Sequence, residues 1–290
     1  MTTQPTVSVV IPYYDQPEFL RDAVESVIAQ TYPNVEIIVV DDCSPGVNAI
    51  QLLRGLRHPK LLVFKLENRK GVSVARNAGI IRSSGDYILP LDADDLLDPQ
   101  YVSETVKALI DSNDAGVCTA IRTFGNADSI INPELDIAQI LSRGTVCNTF
   151  LYRREVFDAV DGYREGLAFD QERQFLLDAL QKGFTFKQIK QPLYFRRQHT
   201  GNAEPSCLED RYKDLVERNI NLYKQHLPQI LGLQKVRVQE LTVARVRLSR
   251  DFQKLAIDDK RLKRGLTNVM SYYHDLEHDA LKTEATVGQL

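Results

Sequence analysis

Cysteine is scarce in this chain and poorly spaced for chemistry. The four residues, Cys43, Cys118, Cys147 and Cys207, contain no CxxC pair. That argues against a zinc site or a disulfide framework and for free thiols in a reducing compartment. Long apolar runs are missing too. Nothing approaches the ~18 consecutive apolar residues of a membrane span, and no basic-then-apolar segment opens the chain as a secretory signal would. The expected location is cytoplasmic, with a place at the inner face of the membrane left open. Positive charge is not in surplus: a net charge of −3 provides no general attraction to nucleic acid. Two glycine signatures are also absent. No GxGxxG follows the first apolar run, so a dinucleotide cradle is unsupported, and no GxxxxGK[ST] occurs, which excludes a P-loop.

What is present is a regular alternation. The 290 residues, 43% hydrophobic, suffice for one substantial α/β domain and a smaller appendage. Val7–Ile11 is a β-branched apolar run that reads as a strand ended by Pro12. Asp15 and Glu18 are spaced as a capping box, ahead of apolar residues at helical intervals from Phe19 to Ile28. Buried strands follow at Val35–Val40, Leu61–Leu66 and from Tyr87, with a short helical stretch and then a helix over Ser73–Arg82 between them. The order β-α-β-α-β-α-β with short connections predicts parallel strands, right-handed crossovers and flanking helices. Ligands in such sheets bind beyond the carboxyl ends of the strands.

At those ends the sequence places Tyr14, the pair Asp41-Asp42, and the cluster Asp92, Asp94 and Asp95. Crowded carboxylates repel and are costly to desolvate, and a divalent cation with oxygen ligands, Mg²⁺ or Mn²⁺, is the usual relief. Together these residues offer an acceptor for a base N–H, an aromatic to stack on it, and a metal to neutralise a diphosphate. Ordinary turn chemistry is the rival explanation for each alone, as helix capping is for Asp41.

Further along, Asp98-Pro99 would cap a helix over Gln100–Asp111 with proline at its first position. Ala115–Phe124 reads as a strand, Gly144–Arg153 as a strand feeding a helix, and a strand-like run ends at Pro192-Leu193. A helix bearing Phe175, Leu176, Leu177, Ala179 and Leu180 begins beside Asp170 and Glu172, where carboxylates favour a helix amino end.

The segments VSVVIPYYDQPEFLRDAVESVIAQTYPNVEIIVVDDCS, GVSVARNAGI and YILPLDADD resemble the family 2 glycosyltransferases. The match spans roughly residues 6 to 200. It departs where Asp15 replaces a usual Asn and Cys43 a usual Gly. The resemblance implies a GT-A fold, Rossmann-like, with a mostly parallel sheet flanked by helices, over residues 1–205. Residues 1–98 would bind the nucleotide-sugar and 99–205 the acceptor. Pro12 and Tyr14 would line the nucleoside pocket, Asp42 would bond the base with Asp41 beside it, and Arg76 would reach the base or diphosphate. Asn77 would brace the loop. Asp92 and Asp94 would face ribose and metal, Asp95 would ligate the metal directly, and His199 would be a third ligand. Arg196 and Arg197 would neutralise phosphate oxygens. A carboxylate at the amino end of the later helix would be the general base, Glu172 on one count and Asp170 on another. The implied activity is metal-dependent, inverting transfer from a UDP-linked sugar to a saccharide, lipid-linked or protein acceptor, with Mn²⁺ or Mg²⁺. Two rivals stand beside it: a sugar-nucleotide-binding protein without turnover, and a phosphohydrolase with Asp92 as nucleophile and Asp94 as acid.

From residue 206 to 290 an α-helical extension is expected. One helix would run around Tyr212–Tyr223, a longer one through Leu241–Leu255, and a last one from Leu266 after a charged stretch at 258–264. Packing on the catalytic domain, pairing into a homodimer and contact with an anionic membrane all remain open for it.

Overall fold

The computed structural model describes residues 4–142, 144–167, 169–199 and 214–255, with the backbone alone over 241–255. The elements run β1 (Val7–Tyr13), α1 (Pro17–Ile28), β2 (Val35–Asp41), α2 (Val47–Gly55), β3 (Leu61–Lys65), α3 (Val72–Arg82), β4 (Tyr87–Pro90), β5 (Leu96–Leu97) and α4 (Tyr101–Ile110). They continue β6 (Gly116–Gly125), β7 (Ile130–Ile131), α5 (Ile137–Leu141), β8 (Leu151–Arg153), α6 (Arg154–Val160), α7 (Gln171–Gln181), β9 (Phe186–Gln198) and α8 (Ile220–Leu255).

The described strands form a single sheet in the order β3-β2-β1-β4-β8-β6-β9-β5, with β7 on β6. The first four are parallel, as the alternation of apolar runs and helices requires. Of these, β1, β2 and β4 are near-continuously buried, the pattern of strands covered on both faces, while the edge strand β3 is half-exposed. Helix α3 lies close on β1 and β2 because Gly79 faces them: a Cβ there would meet Val10 Cγ1 at 2.5 Å and Val40 Cγ2 at 2.9 Å. Beyond β4 the sheet is mixed. β8 is antiparallel to β4 and β6, while β9 runs parallel to β6 and antiparallel to β5.

Local expectations shift in instructive ways. Pro12 does not end β1; it pairs with Val40 inside the strand. The Tyr13 carbonyl accepts from the Asp42 amide on the β2 side, so Pro12 turns its missing donor the other way. There β4 pairs only as far as Val10–Pro90. Asp15 is not the cap of α1. The helix starts at Pro17 behind Gln16, without a side-chain cap, as proline's fixed φ allows. Asp98 accepts from the Gln100 amide at 2.9 Å, but α4 begins only at Tyr101. Only Leu151–Arg153 of the run from Gly144 is strand. Pro192 sits in a register shift inside β9, opposite Ala120, rather than at a strand end. A bulge of this kind leaves a residue unpaired and tolerates proline.

The chain divides into two units, Met1–Leu135 with Gly144–Arg211, and Asp136–Arg143 with Tyr212–Leu290. The boundary expected between residues 205 and 206 falls outside the described residues, as do Cys207, the charged stretch at 258–264 and the helix expected from Leu266. In the second unit, Asp136 caps α5 by accepting from the Gln139 amide at 3.1 Å. Tyr223 Oη donates to the Leu141 carbonyl at 2.7 Å, and Gln234 Nε2 to that of Ser142 at 3.0 Å. The helix expected over 241–255 is the carboxyl-terminal part of the single helix α8. No helix among the described residues is long and apolar enough to cross a membrane.

Candidate active site

Adjacent parallel strands deliver the expected residues to one rim. Tyr14 follows β1, Asp41 ends β2, and Asp92–Asp95 follow β4. The turn after β2 is held by Asp41 Oδ1, which accepts from the Ser44 amide at 2.8 Å, while Lys65 Nζ lies 3.6 Å from Oδ2. Asp41 is therefore a buried turn anchor. Asp42 accepts from the amides of Lys70 at 2.7 Å and Gly71 at 2.8 Å, which fixes the loop entering α3. A carboxylate has about four lone-pair sites, so two remain for another donor. Arg69, from the same loop, lays its guanidinium 3.9 Å from the centroid of the Tyr14 ring, within cation–π range. Pro12 is buried within β1, two residues before Tyr14.

The three carboxylates after β4 come together, with one oxygen of each within 4.8 Å of the others. Their environments differ. Asp95 is 2% exposed; it accepts from Tyr194 Oη and, at 2.8 Å, from the Arg197 amide. Burial, then repulsion from Asp94 and Asp92, holds its carboxyl well above the usual range. Asp94 is partly exposed, lies 3.1 Å from His199 Nε2, and is pushed up by burial and by Asp92. The His199 ring packs on Phe19 at 4.5 Å between centroids. Asp92 meets Arg76 Nη2 at 2.5 Å and Asn148 Nδ2 at 3.4 Å. Three neighbouring carboxylates that repel one another, with an imidazole beside them, make an oxygen-rich donor set suited to Mg²⁺ or Mn²⁺. Asp92, Asp94 and Asp95 form the group that could hold a metal ion; Asp92 and Asp94 are its more exposed members, and His199 lies beside Asp94.

Arg197 is engaged within the fold. Nε donates to the Asp94 carbonyl at 2.8 Å and Nη2 to Asp22 at 3.1 Å, between the rings of Phe19 and Phe124. On β9 beyond the bulge at Pro192, Tyr194 reaches Asp95 through its side chain and Arg197 through its backbone amide.

Arg76 is 2% exposed. Besides Asp92 it is ion-paired through Nη1 with Glu172 at the start of α7, and its guanidinium lies 5.4 Å from the Tyr163 ring centroid. Burial opposes the charge, but Glu172 and Asp92 hold the pKa of Arg76 above its ordinary value. Glu172 is raised by burial, which Arg76 partly offsets. Asp170 sits one residue before α7 with φ 61°, and its Oδ1 accepts from Arg173 Nε at 3.0 Å. Asn77 clasps the backbone of Tyr163: Nδ2 donates to its carbonyl at 2.8 Å, and its amide donates back to Oδ1 at 2.9 Å. Asn148, Tyr163 and Arg69 carried no distinguishing pattern in the sequence. Only Arg69, just before Gly71 and the VARN stretch, lay near a recognised motif.

The comparisons agree with this architecture. Residues 8–165 match the family model described as Glycosyl transferase family 2. The chain is 29% identical over 241 residues to glycosyltransferase GlyG of Streptococcus pneumoniae, covering 73% of this chain and 77% of that one. It is 25% identical over 244 residues to the uncharacterized glycosyltransferase EpsJ of Bacillus subtilis, covering 78% and 69%. The solved structure of S. aureus TarS (residues 1–349) in complex with UDP-GlcNAc is similar in fold, with a TM-score of 0.60 at 16% identity over 81% of each chain.

Proposed function

The chain belongs to glycosyl transferase family 2 and is a glycosyltransferase; from that premise we propose that it moves a sugar from a UDP-linked donor to an acceptor hydroxyl, with inversion, in a metal-dependent reaction. The observation behind this reading is the single buried guanidinium that joins Asp92 of the carboxylate cluster to Glu172. A carboxylate fit for a general base thus stands one side chain away from the group that would hold the donor. The UDP-GlcNAc complex of the structurally similar TarS supports a uridine diphosphate donor.

Tyr14 stacks on the nucleobase, and Asp42 accepts from its N–H through lone pairs left open by the loop amides. Asp94, Asp92 and His199 would hold a divalent cation, whose positive charge would offset the negative charge developing on the diphosphate leaving group. Glu172 takes the proton of the acceptor hydroxyl. The acceptor oxygen bonds to the anomeric carbon from the face opposite the diphosphate, and the bond to the diphosphate oxygen breaks with its electron pair. One in-line displacement inverts the carbon. Burial that raises the affinity of Glu172 for a proton makes it a stronger base than a solvated carboxylate.

Glu172→Gln is expected to bind UDP with Mn²⁺ as the wild type does, by calorimetry, while sugar transfer falls ~10²-fold, the scale of general-base loss. Full transfer by that variant, together with an inactive Asp170→Asn, would move the base to Asp170. Wild-type protein that binds sugar nucleotides but turns none over with any acceptor would leave a binding protein.

A further inference from the structure

Arg76 and Asn77 are neighbours on α3, a helix of the nucleotide-binding half, yet both reach residues that lie far along the chain. Arg76 meets Glu172, and Asn77 clasps Tyr163, on the segment that leads into α7. The Arg76 guanidinium is enclosed by Asp92 on one nitrogen, Glu172 on another and the Tyr163 ring nearby. Tyr163 is in turn stacked on Phe175 of α7 at 4.4 Å between centroids. With 2% exposure the guanidinium is closed to solvent; Nη2 is hydrogen-bonded to Asp92, Nη1 is held by charge against Glu172, and Nε has no hydrogen-bond partner. To touch a nucleotide it would have to leave two carboxylates facing each other without a counter-charge, a costly arrangement at buried sites.

We propose that Arg76 is a positioning residue for the base, not a contact to the nucleotide, and that its planar fork sets Glu172 at a fixed place relative to the donor-binding Asp92. The inference rests on the reading of Glu172 as the base. A guanidinium presents donors in a rigid planar array, so two carboxylates bound to different nitrogens take up a defined separation. An ammonium is a point charge on a flexible stem; it keeps the counter-charge and loses the geometry. The placement of a base within a few tenths of an ångström of its proton decides much of its effect.

Arg76→Lys tests this, because it keeps the positive charge that the fold needs. The full chain is assayed for UDP affinity with Mn²⁺ by calorimetry and for steady-state transfer with the donor varied. The expected result is a donor Kd and KM within about threefold of wild type, with kcat lowered ~10²-fold, the size of losing an aligned base. Arg76→Lys/Glu172→Gln is expected to be no slower than Glu172→Gln alone, since residues acting as a unit are not additive. A donor KM raised tenfold or more with kcat unchanged would make Arg76 a nucleotide contact and overturn the inference. So would a double variant slowed by the full product of the single effects. If Glu172→Gln transfers at the wild-type rate, the base assignment itself fails and the inference with it. That outcome differs from one in which only the Arg76 variants misbehave.

Discussion

Three aspartates within four residues do different work because the backbone turns each to a different surrounding. Asp94 keeps an accessible face beside His199, whereas Asp95 is closed in and satisfied by Tyr194 and Arg197. Asp94→Ala is therefore expected to lose at least tenfold in Mn²⁺-dependent UDP affinity with an unchanged urea midpoint. Asp95→Ala leaves a buried hydroxyl and a buried amide without an acceptor, and is expected to cost about 1–3 kcal/mol of stability per group. A stable Asp95→Ala that has lost Mn²⁺ would return the direct-ligand role to Asp95. The presence of a carboxylate cluster at this rim was legible from DADD after an apolar run. Which member is buried was not, because Tyr194 and Arg197 lie about a hundred residues further on and reach Asp95 only across β5 and β9.

At the scale of elements, the two departures from the family pattern share a cause. Asp15 has φ 46° and Cys43 φ 62°, a left-handed backbone that suits Asn and Gly better than most residues. Asp15 is accommodated in its turn by Ser44, whose Oγ accepts from its amide at 2.9 Å. Cys43 has only a long contact from Sγ to the Glu67 carbonyl at 3.5 Å. Cys43→Gly should therefore relieve about 1 kcal/mol of backbone strain, seen as a Tm higher by roughly 2–4 °C. An unchanged or lower Tm would mean that the thiol contact outweighs the strain. A glycine of the opposite kind sits at Gly162, φ 77°, where a Cβ would stand 2.9 Å from Asn77 Oδ1. The Asn77–Tyr163 clasp needs that close approach. Helix starts were read less well than helix bodies. Apolar spacing located α1, α4 and α7, but prolines 17 and 99 moved the first turn by a residue or two, since a fixed φ chooses where a helix can begin.

For the molecule as a whole, the segment Asp136–Arg143 belongs to the same unit as the carboxyl-terminal helices. Ile140 and Leu141 are fully buried there, and their neighbouring carbonyls accept from Tyr223 and Gln234 of α8. Tyr223→Phe is expected to cost about 1 kcal/mol by leaving the Leu141 carbonyl unpaired. Its amides from 137 to 141 should then exchange hydrogen faster. Unaltered exchange would show that α5 does not depend on the Tyr223 hydrogen bond, its Asp136 cap, its bond from Gln234 and its apolar contacts sufficing.

Local pattern settled the parallel half of the sheet, the rim at its strand ends and the set of acidic and aromatic residues gathered there, because strand and helix periodicity and the right-handed crossover are properties of neighbouring residues. Folding decided the remainder: that Asp42 holds a loop, that Arg197 is locked between two rings, that Pro192 marks a bulge, and that Arg76 bridges Asp92 and Glu172. Each depends on partners from 16 to 178 positions away. No periodicity records such pairings; they exist only once the sheet has closed and burial has forced every charge to find a counterpart.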